Sequence, residues 1–224
     1  MTTRHRATEL SSGAAETRAR SASANKTSLC HQRRSAATFR AMNAPTSGLS
    51  EIVATLADLG VTHVLGIPDN TSGPLFDVLG TGEGPRRIIV TREGEAFALA
   101  SGLWLGGASP LVLIQNTGLL ESGDALRGTA ARMGAPIPLI VTGRGYAKMN
   151  GLGIDRSTPR TRDLLVRANV DSVALLTEPT LDAWAVPWSI CQNRDDVCDA
   201  IRRTVTASRE QERPVALVLT TSLG

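Results

Sequence analysis

The chain has 224 residues, of which 42% are hydrophobic and 20% charged, and its net charge is +3. That length fits one domain with a sizeable core plus a tail, and the composition is that of a globular protein. No apolar run is long enough to cross a bilayer and the basic excess is confined to the first 45 residues, so neither a membrane nor a nucleic-acid partner is expected.

Residues 1–45 hold seven Arg and one Lys against two Glu, leaving 16 basic and 19 acidic residues beyond them. The segment is rich in Ser, Ala and Thr and has no sustained apolar period, so it reads as a disordered basic tail. Its composition also suits an organelle transit peptide, but it lacks an amphipathic stripe. An over-extended start, with Met42 as initiator, accounts for it more simply. Residues 46–224 are expected to form a single domain. Cys30, Cys191 and Cys198 form no Cys-x-x-Cys pair, which points to a reducing, cytoplasmic setting.

Leu49, Ile52, Val53, Leu56 and Leu59 recur at helical spacing, and Gly60 stops that helix. Six short apolar runs read as strands: Val61–Ile67, Arg87–Thr91, Leu111–Gln115, Pro138–Thr142, Ser172–Leu176 and Val215–Leu219. Helical patterns fall near 93–106, 121–133, 160–168 and 194–209. Alternating strands and helices predict an α/β fold with a six-stranded, mostly parallel sheet covered on both faces, in three layers. In the segment from Ala183 to Cys191, Trp184 and Trp188 suggest an insertion that packs on a partner, or a loop.

Ligands of such sheets gather beyond the carboxyl ends of the strands. There the sequence places Pro68-Asp69-Asn70, Arg92-Glu93-Gly94-Glu95, Gln115-Asn116-Thr117-Gly118 and Gly143-Arg144-Gly145. No Gly-x-Gly-x-x-Gly, Gly-x-x-x-x-Gly-Lys or Gly-x-Ser-x-Gly motif is present, which excludes the usual dinucleotide, triphosphatase and hydrolase signatures. Glu93 and Glu95 are two residues apart and cannot share a helix face, and Glu93 lies nearer the strand end. The other reading of either Glu is a helix-start carboxylate favoured by the dipole. Asp69 doubles as a turn residue, Gln115 and Asn116 as turn caps, and Arg92, Arg127 and Arg144 as solvated surface charges. His63, inside the first strand, reads as a packing residue.

The run Glu93-Gly94-Glu95-Ala96-Phe97-Ala98-Leu99-Ala100-Ser101-Gly102 resembles the glutamate segment of thiamine-diphosphate enzymes. Within them, Gly66-Ile67-Pro68-Asp69, Arg92-Glu93-Gly94, Gln115-Asn116-Thr117-Gly118-Leu119 and Arg144-Gly145 are most similar to phosphonopyruvate and sulfopyruvate decarboxylases. The resemblance runs from about Leu49 to Leu223. It implies the thiamine-diphosphate-binding fold and a non-oxidative 2-keto-acid decarboxylase acting on a small anionic keto acid. It implies Glu93 as the acid that activates the cofactor by sharing a proton with its pyrimidine, a task that needs a carboxyl held out of water. Pro68, Asp69, Gln115, Asn116, Thr117 and Gly118 are then the cofactor-binding candidates, with Arg92 and Arg144 for the substrate's anionic group. Where the relatives would continue with Gly-Asn, this chain has Leu120-Glu121, and it lacks the histidine pair of pyruvate-type decarboxylases.

No Gly-Asp-Gly for a magnesium–diphosphate site is present; the nearest approach is Gly123-Asp124-Ala125. The sequence ends at Gly224, after the sixth strand. The metal is therefore expected on a partner, a diphosphate-binding beta subunit, in a hetero-oligomer with the cofactor at the interface. Two other readings use the same fold: a carboligase subunit of the acetolactate synthase kind, and a noncatalytic regulatory subunit.

Overall fold

The computed structural model describes residues 47–82 and 84–223. The expected tail, 1–45, lies outside them. Helix α1 (Ser47–Asp58) leads into β1 (His63–Gly66), with Gly60 between them at φ 66°, a value that favours glycine. Then follow α2 (Gly73–Leu79), β2 (Arg86–Ile89), α3 (Glu93–Leu105), β3 (Pro110–Gln115), α4 (Asn116–Glu121), α5 (Gly123–Ala125) and a π-helical turn over Leu126–Ala131. The second half comprises β4 (Pro138–Thr142), α6 (Tyr146–Gly151), α7 (Arg162–Leu165), α8 (Ser172–Ala183), β5 (Trp188–Cys191), a 3-10 turn (Arg194–Asp196), α9 (Val197–Glu210) and β6 (Val215–Leu219).

The six strands form one sheet in the order β2-β1-β3-β4-β6-β5. Every pair is parallel, so the sheet is wholly rather than mostly parallel. Side chains alternate between its faces. Val112 and Ile114 of β3 join Leu139 and Val141 on one face, under Ala96, Phe97, Leu119 and Leu175. Leu111 and Leu113 point to the other, under Leu56, Phe76 and Ile201. Helices thus cover both faces, which is why the central strands read as unbroken apolar runs. A large apolar side chain fully buried here contributes about 1.5–3 kcal/mol relative to leaving it in water.

The fifth strand is a correction. Ser172–Leu176, expected as a strand, forms the first turns of α8, and the true β5 lies in the segment read as an insertion or loop. A five-residue apolar run does not separate a buried strand from a buried helix. Pro179 inside α8 masks the helix further, because it has no N–H to give the Leu175 carbonyl. Arg160 supplies that bond instead, Nε to the Leu175 carbonyl at 2.8 Å. Among the described residues strand β5 pairs only with β6, and Ser189 and Ile190 in it are exposed, so its sequence is not a buried run. Its tryptophans are used within the chain. Trp184 packs against the core and closes over Gly123, and Trp188 donates to Asp182 at 2.8 Å beneath the Arg156 guanidinium. The helix expected over 121–133 is instead the α4, α5 and π-turn series, and that over 160–168 shrinks to α7.

Candidate active site

The carboxyl ends of β2, β1, β3 and β4 are neighbours in the sheet, so the four predicted segments share one edge. Specific contacts tie them together. Asp69, after β1, accepts the Thr142 hydroxyl of β4 through Oδ2 at 2.6 Å. Its Oδ1 accepts the amides of Thr71 and Ser72 at 2.6 and 2.9 Å, while its own amide donates to Ser72 Oγ. Both Asp69 oxygens are therefore engaged, Oδ1 in shaping the turn into α2 and Oδ2 in tying that turn to β4. Pro68 is exposed beside it.

Beyond β3, Gln115 is half-buried and accepts the Thr117 hydroxyl at 3.2 Å, and Thr117 is exposed. Asn116 is fully buried; its Nδ2 donates to the Arg144 carbonyl at 2.9 Å, while its Oδ1 has no hydrogen-bond partner. Arg144 is largely exposed, with Nε 3.5 Å from Asp171. Gly145 follows at φ 87°, and Asp171 occupies the space where a Cβ would project. Both arginines proposed for the substrate thus already face carboxylates, since Arg92 Nε donates to Glu121 Oε1 at 3.0 Å. Arg127 lies 3.6 Å from Asp124, which is fully exposed.

Three carboxylates surround the first turn of α3, and two are engaged within the chain. Glu95 reaches back in a capping box to the amides of Thr91 and Arg92 at 3.0 and 3.3 Å and to the Thr91 hydroxyl. The Thr91 amide and hydroxyl hold its carboxyl below the ordinary range. Glu121 Oε2 accepts the Gly94 amide at 2.9 Å, and its bond to Arg92 is the main cause holding that carboxyl low. The Glu93 side chain forms no hydrogen bond and no ion pair among the described residues, and its charge acts on Arg92 only through space. It is half-buried and lies against Gly118, where an added Cβ would be 2.5 Å from Glu93 Cδ. The edge therefore presents one unengaged carboxyl, seated on a glycine, at a strand end.

Sequence reasoning missed Glu121, Thr142 and Asp171 as the residues that hold this edge. Only Glu121 leaves a signal, being three residues after Gly118 and so on the same face of α4. Among the described residues no group of three or more His, Cys, Asp or Glu could hold a metal ion, and no helix is long and apolar enough to cross a membrane.

Residues 47–159 match the model of the thiamine pyrophosphate enzyme N-terminal TPP binding domain. The chain is 38% identical over 98 residues to a phosphonopyruvate decarboxylase of Streptomyces viridochromogenes, covering 44% of this chain and 25% of that one. It is 26% identical over 164 residues to the sulfopyruvate decarboxylase subunit alpha of Methanococcus maripaludis, covering 73% of this chain and 89% of that subunit. It therefore spans about a quarter of the phosphonopyruvate decarboxylase but most of the archaeal subunit. The thiamine diphosphate-dependent 4-hydroxybenzoylformate decarboxylase of Rhodococcus jostii superposes with a TM-score of 0.54 at 20% identity, over 78% of this chain and 30% of that one. That likeness concerns the fold alone.

Proposed function

Because this chain belongs to the thiamine pyrophosphate enzyme family through its N-terminal TPP binding domain, we propose that it is the pyrimidine-binding subunit of a two-subunit 2-keto-acid decarboxylase. The reaction is a non-oxidative carbon–carbon bond cleavage of a small anionic keto acid such as sulfopyruvate or phosphonopyruvate, in the cytoplasm. The observation that carries the reading is the single unengaged carboxyl of Glu93 on Gly118. The similarity to proteins named phosphonopyruvate decarboxylase and sulfopyruvate decarboxylase subunit alpha supports the substrate class and the division into subunits.

The residues at the edge fit the pyrimidine of thiamine diphosphate. Glu93 has a carboxyl free to share a proton with a ring nitrogen, and Gly118 leaves it room. Gln115 and Thr117 offer an amide and a hydroxyl beside it. Asn116 braces the turn after β4 from below, and Asp69, next to Pro68, fixes the turn after β1. When bound, the cofactor supplies the electron sink for loss of carbon dioxide. Glu93 holds and returns the proton, in a site that a partner closes to water. Helix α3, which starts at Glu93, leaves Leu99 and Leu105 exposed at 47% and 67%, which supports a partner lying along it. That partner is the diphosphate-binding beta subunit, which also holds Mg²⁺. The domain comprises residues 46–224, with 1–45 as its tail.

The test mixes the purified chain with candidate beta subunits and follows carbon dioxide release from sulfopyruvate, phosphonopyruvate and pyruvate. Decarboxylation yields an aldehyde; a coupled hydroxyketone indicates a ligase, and no turnover with any partner a regulatory subunit. Glu93→Gln is expected to lower kcat by about 10²–10⁴, the usual contribution of a positioned acid–base group. Glu95→Gln should act weakly, since Glu95 caps its own helix. Equal effects of the two substitutions refute the assignment.

A further inference from the structure

Glu121 occupies the place where the resembling decarboxylases lead one to expect Asn, and its contacts surround Glu93. Its Oε2 takes the amide of Gly94, the next residue in the chain. Its Oε1 takes Nε and Nη2 of Arg92, the residue before. Gly118, three residues earlier on α4, is the surface on which the Glu93 side chain rests. Residues i and i+3 of a helix lie on one face. One face of α4 therefore grips residues 92, 93 and 94 in turn, at the N-terminus of α3.

The Gly94 amide is one of the orphan donors of that helix start, and Glu95 is already committed to Thr91 and Arg92. Without Glu121, nothing else in the described residues accepts it. Arg92, 73% exposed in its side chain, would then lose its hydrogen-bonded anchor and keep only the through-space pull of Glu95 and Glu93. We infer that Glu121 is a positioning residue that sets the Glu93 carboxyl against the cofactor pyrimidine by fixing the residues on either side of it. The inference rests on Glu93 being the activating acid. It also assigns Arg92 to this clamp rather than to the substrate. An exposed ion pair alone stabilises little, so the role lies in geometry, carried by the charge-assisted bond to Gly94.

The test compares Glu121→Ala and Glu121→Gln in the full chain, with Glu93→Gln alongside. The glutamine keeps an oxygen for the Gly94 amide and removes the charge opposite Arg92. Amide hydrogen exchange of the chain alone should speed at Gly94 by about tenfold or more in Glu121→Ala, the factor expected from losing one hydrogen bond to a charged group. It should stay near wild type in Glu121→Gln, and strands β3 and β4 should be unaffected in both. In the assembled decarboxylase, Glu121→Ala should lower kcat by about tenfold or more with KM for the keto acid unchanged, and Glu121→Gln should restore most of it. Unchanged kcat in Glu121→Ala overturns the inference. A fall in KM overturns it too, because Glu121 would then be restraining a substrate-binding Arg92. Equal loss in both variants with faster exchange throughout the fold reduces Glu121 to a structural role. If Glu93→Gln keeps full turnover, the proposed function itself fails. If Glu93→Gln is inactive and Glu121→Ala is not, only the positioning role does.

Discussion

Gly118→Ala separates the geometry of the site from the stability of the fold. Gly118 is buried in α4 with the Glu93 side chain directly over it. A methyl group there would sit 2.5 Å from Glu93 Cδ and closer still to its Cγ, where ordinary contact begins near 3.4 Å. The carboxyl must therefore retreat by about 1 Å, a displacement that can cost a factor of about 10² at a reacting centre. Helix propensity works the other way, since alanine is better than glycine inside a helix by about 1 kcal/mol. The Glu93 side chain is half-buried and has no hydrogen bond to break among the described residues, so it can move at small cost to the fold. The expected result is a melting temperature within a few degrees of wild type and kcat down about 100-fold in the assembled enzyme. Calorimetric melting and carbon dioxide release measure the two. Full turnover in a folded Gly118→Ala protein would refute the placement of the acid on this glycine.

Two more predictions concern the whole domain. The Glu95 carboxyl is held below its ordinary 4.5 by the Thr91 and Arg92 bonds, so its contribution to stability is complete above pH 4.5 and is lost as pH falls through the depressed value. A series of melts should show stability dropping below pH 4.5, and Glu95→Gln should be less stable at neutral pH with a shallower acid limb. Limited proteolysis should remove residues before about 46 and leave the remainder resistant; early cuts between β3 and β4 would contradict the proposed boundary.

The central sheet was legible because parallel strands buried on both faces leave near-continuous apolar runs. Pro138–Thr142 and Val215–Leu219 coincide with β4 and β6. Strand β5 was not legible, because an edge strand with exposed Ser189 and Ile190 carries no such run, whereas the start of α8 does. At the site, order along the chain pointed to which strand ends would meet, and the sheet brings those ends together. The pairings across that edge were hidden. Arg92 and Glu121 are 29 residues apart and Asp69 and Thr142 are 73 apart, so no local spacing marks them. The two glutamates of α3 could be separated by helix geometry, but only the structure shows that Glu95 has its oxygens engaged and that Glu93, among the described residues, does not.

The strand order also bears on how the chain acquires its shape. Strand β6 follows β5 in sequence, yet it lies between β4 and β5 and is, among the described residues, the sheet partner of β5. During synthesis β2, β1, β3 and β4 can assemble as they emerge, but β5 must wait, unpaired, for a strand that arrives 24 residues after its own last residue, Cys191. Until Val215 docks beside Pro138, the flank of β4 is an open row of backbone donors and acceptors. The vulnerable interval is therefore the one before β6 emerges, and any condition that delays that strand exposes a ready template for intermolecular pairing.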